Sequence, residues 1–238
     1  MITSVQDRVE AIDLVKQYNG HTALNKLNLR LKAGEIFCLL GQNGAGKTTT
    51  LNIFLGFIEA TAGKALINGV DVKPGNNTSK KHLSYIPEVV QLYGNLTGTE
   101  NLDFFSRLAG FNYRPDELEQ FLLRAGLQPV AHTRRLVTYS KGMRQKAGIA
   151  IALAKNADVI FMDEPTSGLD PRATQEFTDI VRQLGSEGKT ILMATHDIFN
   201  AVNIGTNIGI MKNGTLVHTL RTADITANEL QRLYLETI

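Results

Sequence analysis

Long hydrophobic runs are missing from this chain of 238 residues. No stretch approaches the roughly 18 consecutive apolar residues that cross a bilayer. The first residues, "MITSVQDRVEAIDLV", also lack the basic-then-apolar order of a secretory leader. Together these predict a soluble, cytosolic polypeptide. Cysteine occurs once, at Cys38, which excludes an internal disulfide and suits a reducing compartment. Charge of one sign is scarce too. The balance of 25 basic against 23 acidic residues is too even for a nucleic-acid surface, so no nucleic-acid partner is expected. Internal repeats and low-complexity segments are likewise missing.

What remains reads as an ordinary globular α/β chain, 43% hydrophobic and 20% charged. "RVEAIDLVKQY" and "LNKLNLRLKAG" alternate apolar and polar side chains around the turn signal "NGHT", which predicts an antiparallel start over residues 8–32. "IFCLL" is a continuous apolar run, the pattern of a strand buried on both faces, and places Cys38 as a buried residue rather than a reactive thiol. A helix follows in "GKTTTLNIFLGF", then short strands in "KALINGVDV" around Asn68-Gly69 and in "LSYIP". From Pro87 to Asn156 the pattern turns helical, with Thr99 expected as a cap, Pro115 in a first turn and Ser140 as a second cap. Strands and helices then alternate: "DVIFMDEP", "RATQEFTDIVRQLGSEG", "TILMATH", "DIFNAVNIG", a hairpin about Asn213-Gly214, and the closing "TANELQRLYLETI". This order predicts a mostly parallel, helix-flanked core interrupted by a helical block.

Three motifs carry chemistry. "GQNGAGKTTTLN" has the pattern G-x-x-x-x-G-K-[ST] between a strand and a helix. Glycines 41, 44 and 46 let backbone N–H groups turn toward phosphates, Lys47 can reach the terminal phosphates, and Thr48 can ligand Mg²⁺. The candidate nucleotide contacts here are Gly41, Gln42, Asn43, Gly44, Ala45, Gly46, Lys47, Thr48 and Thr49. "VIFMDEP" delivers Asp163 and Glu164 at the C-terminal end of a buried strand, where open α/β sheets bind ligands. Asp163 suits a Mg²⁺ ligand and Glu164 a group that polarises the attacking water, although adjacent acids can also simply cap a helix. "TILMATHD" ends in His196, which could hydrogen-bond the γ-phosphate or orient the water; alone, such a histidine is more often structural.

The ordered set of glycine loop, "YSKGMRQK", "VIFMDEPTSGLDP" and "ATH" resembles the ATP-binding subunits of ABC transporters over nearly the whole chain. The resemblance implies a P-loop NTPase fold: a RecA-like core with an antiparallel β-subdomain (1–87 and 157–238) and an α-helical subdomain (88–156). It implies ATP and Mg²⁺ as cofactors. Tyr18 would stack on adenine, and Ser140, Lys141, Gly142 and Met143 would form the signature that grips the ATP of a second subunit. Asp170 would lie in the loop crossing that interface, and His196 would be the switch histidine. The catalytic groups would then be Glu164, His196 and Lys47, and the metal ligands Thr48, Asp163 and Glu88.

Two places depart from the family pattern. Lys141 and Met143 replace the usual Gly and Gln of the signature, and Glu88 in "YIPEVVQLYGNLT" stands where Gln is usual. Gln91 is the alternative amide if the loop shifts. These variants resemble the ABC-2 exporter branch. The resemblance implies a peripheral protein on the cytoplasmic side of the cell membrane, partnered by a second ATP-binding subunit and by a separate integral membrane permease. That permease is expected to dock near Val89 to Phe105 on Leu92, Tyr93 and Leu96. A soluble ABC ATPase acting on ribosomes or DNA is the alternative; such relatives usually carry two cassettes or a long coiled coil. A GTPase would need N-K-x-D after the loop, and the nearest string, "NKLN" at Asn25 to Asn28, precedes it and lacks the acid. The final helix is too short for a sizeable regulatory domain.

Overall fold

The structure, a computed structural model, describes residues 7–238. It opens with the expected hairpin. β1 (Val9–Tyr18) and β2 (His21–Leu31) pair antiparallel, with Val9 opposite Leu31 and Tyr18 opposite His21. Asn19 and Gly20 both take positive φ, the geometry that lets a two-residue turn match strand twist. Asn68-Gly69 and Asn213-Gly214 repeat the device. β3 (Ile36–Leu40) is buried throughout. Its residues alternate between two cores: Ile36, Cys38 and Leu40 face one, Phe37 and Leu39 the other. That explains why the run shows no polar alternation. Burial pushes the Cys38 thiol up to about 12, which keeps it a protonated packing group.

α1 (Lys47–Phe54) follows the glycine loop, and β4 (Ala62–Ile67) and β5 (Val70–Asp71) return as a hairpin. β6 (Leu83–Ile86) leads to the helical block: α2 (Gly98–Leu108), α3 (Pro115–Arg124), α4 (Pro129–His132) and α5 (Lys141–Ala154). β7 (Val159–Asp163), α6 (Pro171–Ser186), β8 (Thr190–Thr195), α7 (Ile198–Ile204), β9 (Asn207–Lys212), β10 (Thr215–Arg221) and α8 (Ala227–Thr237) complete the chain. No helix among the described residues is long and apolar enough to cross a membrane.

The strands form two sheets. One is antiparallel, in the order β2-β1-β4-β5; the other has the order β10-β9-β3-β8-β7-β6, parallel from β9 through β6. The fold is thus the mixed α/β, phosphate-loop architecture expected. Two local expectations change. Thr97, not Thr99, caps α2: its hydroxyl accepts from the Glu100 amide at 3.2 Å while Glu100 accepts from the Thr97 amide at 2.8 Å. A capping box needs Glu three residues after the cap, which Thr97 has and Thr99 lacks. Thr99 instead donates its hydroxyl to the His132 carbonyl at 3.2 Å. The structure also adds α4, too short to show a helical period in sequence.

Candidate functional site

Four neighbouring parallel strands end at the same edge of the sheet. In spatial order β3, β8, β7 and β6 are followed by the glycine loop, His196, Asp163-Glu164 and Glu88. Residues far apart in the chain are gathered there because parallel strands share one C-terminal edge.

The glycine loop is shaped by close packing. At Gly46 φ is +109°, and an added Cβ would lie 2.7 Å from the Ala23 carbonyl of β2. At Gly41 it would lie 2.7 Å from the Met211 carbonyl of β9. The Gly214 amide donates to the Ala45 carbonyl, and the Asn25 amide to the Gly214 carbonyl, both at 2.9 Å, so the loop is tied to β2 and the last hairpin. Gln42, Asn43, Gly44 and Thr48 are exposed, while Thr49 is half-buried. The result is a concave run of backbone N–H groups at the start of α1, a ready anion cradle.

Lys47 is buried, and its ammonium donates to the carbonyls of Gly41 at 2.5 Å and Gln42 at 3.3 Å. Burial pushes its pKa down, while Glu164 and Asp163 pull it back up. Asp163 is pushed up, first by burial and then by Glu164 and Glu88; Thr48 and Lys47 oppose this. The Thr48 hydroxyl lies 3.4 Å from Asp163 Oδ2. Asp163 caps no helix, since Asp170 caps the one that follows, and its carboxylate lies beside a hydroxyl. This all-oxygen pair suits a hard divalent cation completed by phosphate and water oxygens. No cluster of three or more His, Cys, Asp or Glu ligands exists among the described residues.

Glu164 has φ +44°, a left-handed conformation that is unusual for a side-chain-bearing residue. Its amide donates to the Ala194 carbonyl of β8 at 2.9 Å, which fixes the turn. The carboxylate then meets His196, with Nδ1 at 2.9 Å and the backbone amide at 3.3 Å. The ring of His196 is exposed beyond this contact. Glu88 does not point at Asp163-Thr48 in this structure. Its carboxylate accepts from the Ser167 hydroxyl at 3.0 Å and lies 3.8 Å from the Lys141 ammonium. Gln91, the alternative, lines a separate apolar recess with Phe105 and Gly148.

The signature residues stand at a helix start. Ser140 caps α5 by accepting from the Met143 amide at 3.2 Å. Gly142 approaches α6 so closely that a Cβ would lie 3.3 Å from that of Ala173. Met143 packs half-buried against the core. Asp170 caps α6, accepting from the Ala173 amide at 2.8 Å. No hydrogen bond or ion pair runs from Ser140–Met143 to Gly41–Thr48 among the described residues. Tyr18 lies exposed at the end of β1, with the Lys16 ammonium 4.8 Å from its ring centre.

Two contacts are not legible in the sequence: Ser167 on Glu88 and Lys141 on Glu88. Of the expected docking anchors, Tyr93 is exposed, but Leu92 packs half-buried against the core and Leu96 is also half-buried. The apolar side chains open to solvent nearby are Val89, Phe104, Leu108 and Phe57. Loop residues pointing inward and outward could not be told apart without a regular period.

A phosphate cradle, a threonine-aspartate pair and a glutamate-histidine pair on adjacent strands define a P-loop nucleotide-binding domain. Residues 24–167 match the ABC transporter family. The chain belongs to that family. It is 34% identical to the daunorubicin/doxorubicin resistance ATP-binding protein DrrA of Streptomyces peucetius, over 94% of this chain and 68% of DrrA. It is also 34% identical to the probable multidrug ABC transporter ATP-binding protein YbhF of Escherichia coli (strain K12), over 92% of this chain but only 38% of YbhF. Among solved structures, the ATP-binding cassette MJ0796, a dimer in a post-hydrolysis state with ADP and Pi, superposes with a TM-score of 0.78. That match is 26% identical and covers 90% of this chain and 98% of the other.

Proposed function

We propose that this chain is the ATP-binding and ATP-hydrolysing subunit of an ABC transporter of the exporter type, pairing with a second cassette around two ATP and driving a separate permease. The observation that carries the reading is the convergence of Lys47, Thr48, Asp163, Glu164 and His196 at one sheet edge in a chain of this family. DrrA and YbhF, named for drug resistance and multidrug transport, support the export direction.

The geometry supports the following residue roles. The loop Gly41 to Thr49 would hold the phosphates through backbone N–H groups, with Tyr18 stacking on the adenine. Lys47 exchanges its carbonyl partners for phosphate oxygens, a stronger charge-assisted contact. Thr48 and Asp163 would hold Mg²⁺, and Glu88 could join them only by leaving Ser167 and Lys141. Bound there, the cation would neutralise phosphate charge. Glu164 accepts a proton from the attacking water, and its partner His196 keeps the carboxylate aimed while offering Nε2 to the terminal phosphate. Ser140 to Met143 present the start of α5 to the nucleotide of the second subunit, and Asp170 lies on the same face.

Residues 88–156 would act as a helical subdomain on a core formed by 7–87 and 157–238. Between them runs a groove lined by Phe57, Tyr85, Phe105 and Leu108, with Lys80 and Lys155 at its rim. A cytoplasmic permease helix would lie there, and the chain would then sit on the inner face of the cell membrane. Recovery of the tagged protein from detergent-solubilised membranes tests this reading. An integral membrane protein should co-purify; recovery of ribosomes without one would overturn it.

A further inference from the structure

The two departures from the family's usual residues lie against each other. Lys141 Nζ is 3.8 Å from Glu88 Oε1, and the Ser167 hydroxyl donates to the same oxygen at 3.0 Å. The buried Gln145 amide of α5 donates to the carbonyls of Pro87 and Glu88 at 3.2 and 3.0 Å, which fixes this loop to the helix that begins at Lys141. A cation at the first position of a helix opposes the helix dipole, and the first turn of α5 holds no acid. Glu88 supplies the missing negative partner from another element.

Glu88 in turn needs a cation. It follows the end of β6, the neighbour of β7, so it brings a third carboxylate to the sheet edge that carries Asp163 and Glu164. Tetra-anionic ATP must approach this group. The family's usual Gln and Gly at these two positions are neutral. Here an acid and a base arrive together, so the net charge of the pair is unchanged.

We propose that Lys141 is a positioning residue that neutralises Glu88 and holds its carboxylate turned toward Ser167, which makes an acid at position 88 compatible with a phosphate-filled site. The inference rests on the ATP-binding reading above. Nucleotide binding is therefore measured by fluorescent-ATP titration with EDTA and again with Mg²⁺, on wild type, Lys141→Met, Lys141→Arg, Glu88→Gln and the double variant Glu88→Gln/Lys141→Met. Without Mg²⁺, Lys141→Met should bind roughly fivefold more weakly, the upper range for an exposed charge pair. The loss should shrink at high salt. Lys141→Arg should bind like wild type, and removing Lys141 should cost clearly less in the Glu88→Gln background than in wild type, because the carboxylate it holds is gone. Thermal unfolding of each nucleotide-free variant checks that it is folded. If Lys141→Met loses its fold, Lys141→Arg and Glu88→Gln decide alone: weak binding by the arginine variant, or binding by Glu88→Gln no stronger than wild type in EDTA, overturns the proposal. An equal cost of removing Lys141 in the two backgrounds also overturns it. Failure of wild type to bind ATP at all would instead refute the parent reading.

Discussion

Replacing Gly46 with alanine should be far more damaging than the same change at Gly20, and the two together separate backbone strain from packing. Both glycines have left-handed φ, +109° and +86°. A left-handed alanine costs about 1–2 kcal/mol, and this part of the penalty is shared. Around Gly20 nothing lies within 4 Å of an added Cβ. At Gly46 the Cβ would lie 2.7 Å from the Ala23 carbonyl, 2.8 Å from Leu24 Cδ2 and 3.0 Å from Met211 Cε. The Ala23 carbonyl has little room to retreat, because a Cβ on Gly214 would also lie 2.7 Å from it and Asn25 is tied to Gly214. Overpacking of this kind adds about 1–3 kcal/mol. For a chain of this size each kcal/mol moves Tm by about 2–4 °C, so Gly46→Ala should melt roughly 2–12 °C below Gly20→Ala. Thermal unfolding followed by circular dichroism reads the difference. Melting of the two variants within about 2 °C of each other would refute the claim that the phosphate loop is clamped by β2 and the last hairpin.

Asp163→Asn should stabilise the nucleotide-free chain at neutral pH while weakening Mg²⁺-dependent ATP binding. The sign follows from the raised pKa: relative to the unfolded chain, the group favours folding below its ordinary 3.8 and loses that contribution as pH rises through its folded value. The Tm advantage of the variant should therefore grow from pH 4 upward; an advantage that is flat with pH would contradict the burial argument. Thr97→Ala should cost about 1 kcal/mol by removing the cap of α2, and Thr99→Ala less, as read by urea unfolding.

The regular parts of the fold were legible because period and turn chemistry agree. "IFCLL" showed a strand buried on both faces, and the three Asn-Gly pairs marked turns that the structure places at positive φ. The glycine loop, Asp163-Glu164 and His196 were legible as pieces, since each follows a strand; their meeting at one edge depends on strand order, which local pattern does not encode. The Glu88–Lys141–Ser167 contacts were illegible for the same reason: each residue is set by a different element, two by loops and Lys141 by the start of α5. Thr97 was missed although its Glu100 partner stood in plain sight, because Thr99 offers the same hydroxyl two residues later.

The central claim is that Glu164 drives ATP hydrolysis in a site closed by a second subunit. The direct measurement is the solution mass and ATP turnover of Glu164→Gln with ATP and Mg²⁺. The account predicts an ATP-dependent dimer whose hydrolysis falls at least about a hundredfold, the scale of losing a general base. A Glu164→Gln protein that turns over ATP at the wild-type rate and stays a monomer with nucleotide would contradict it.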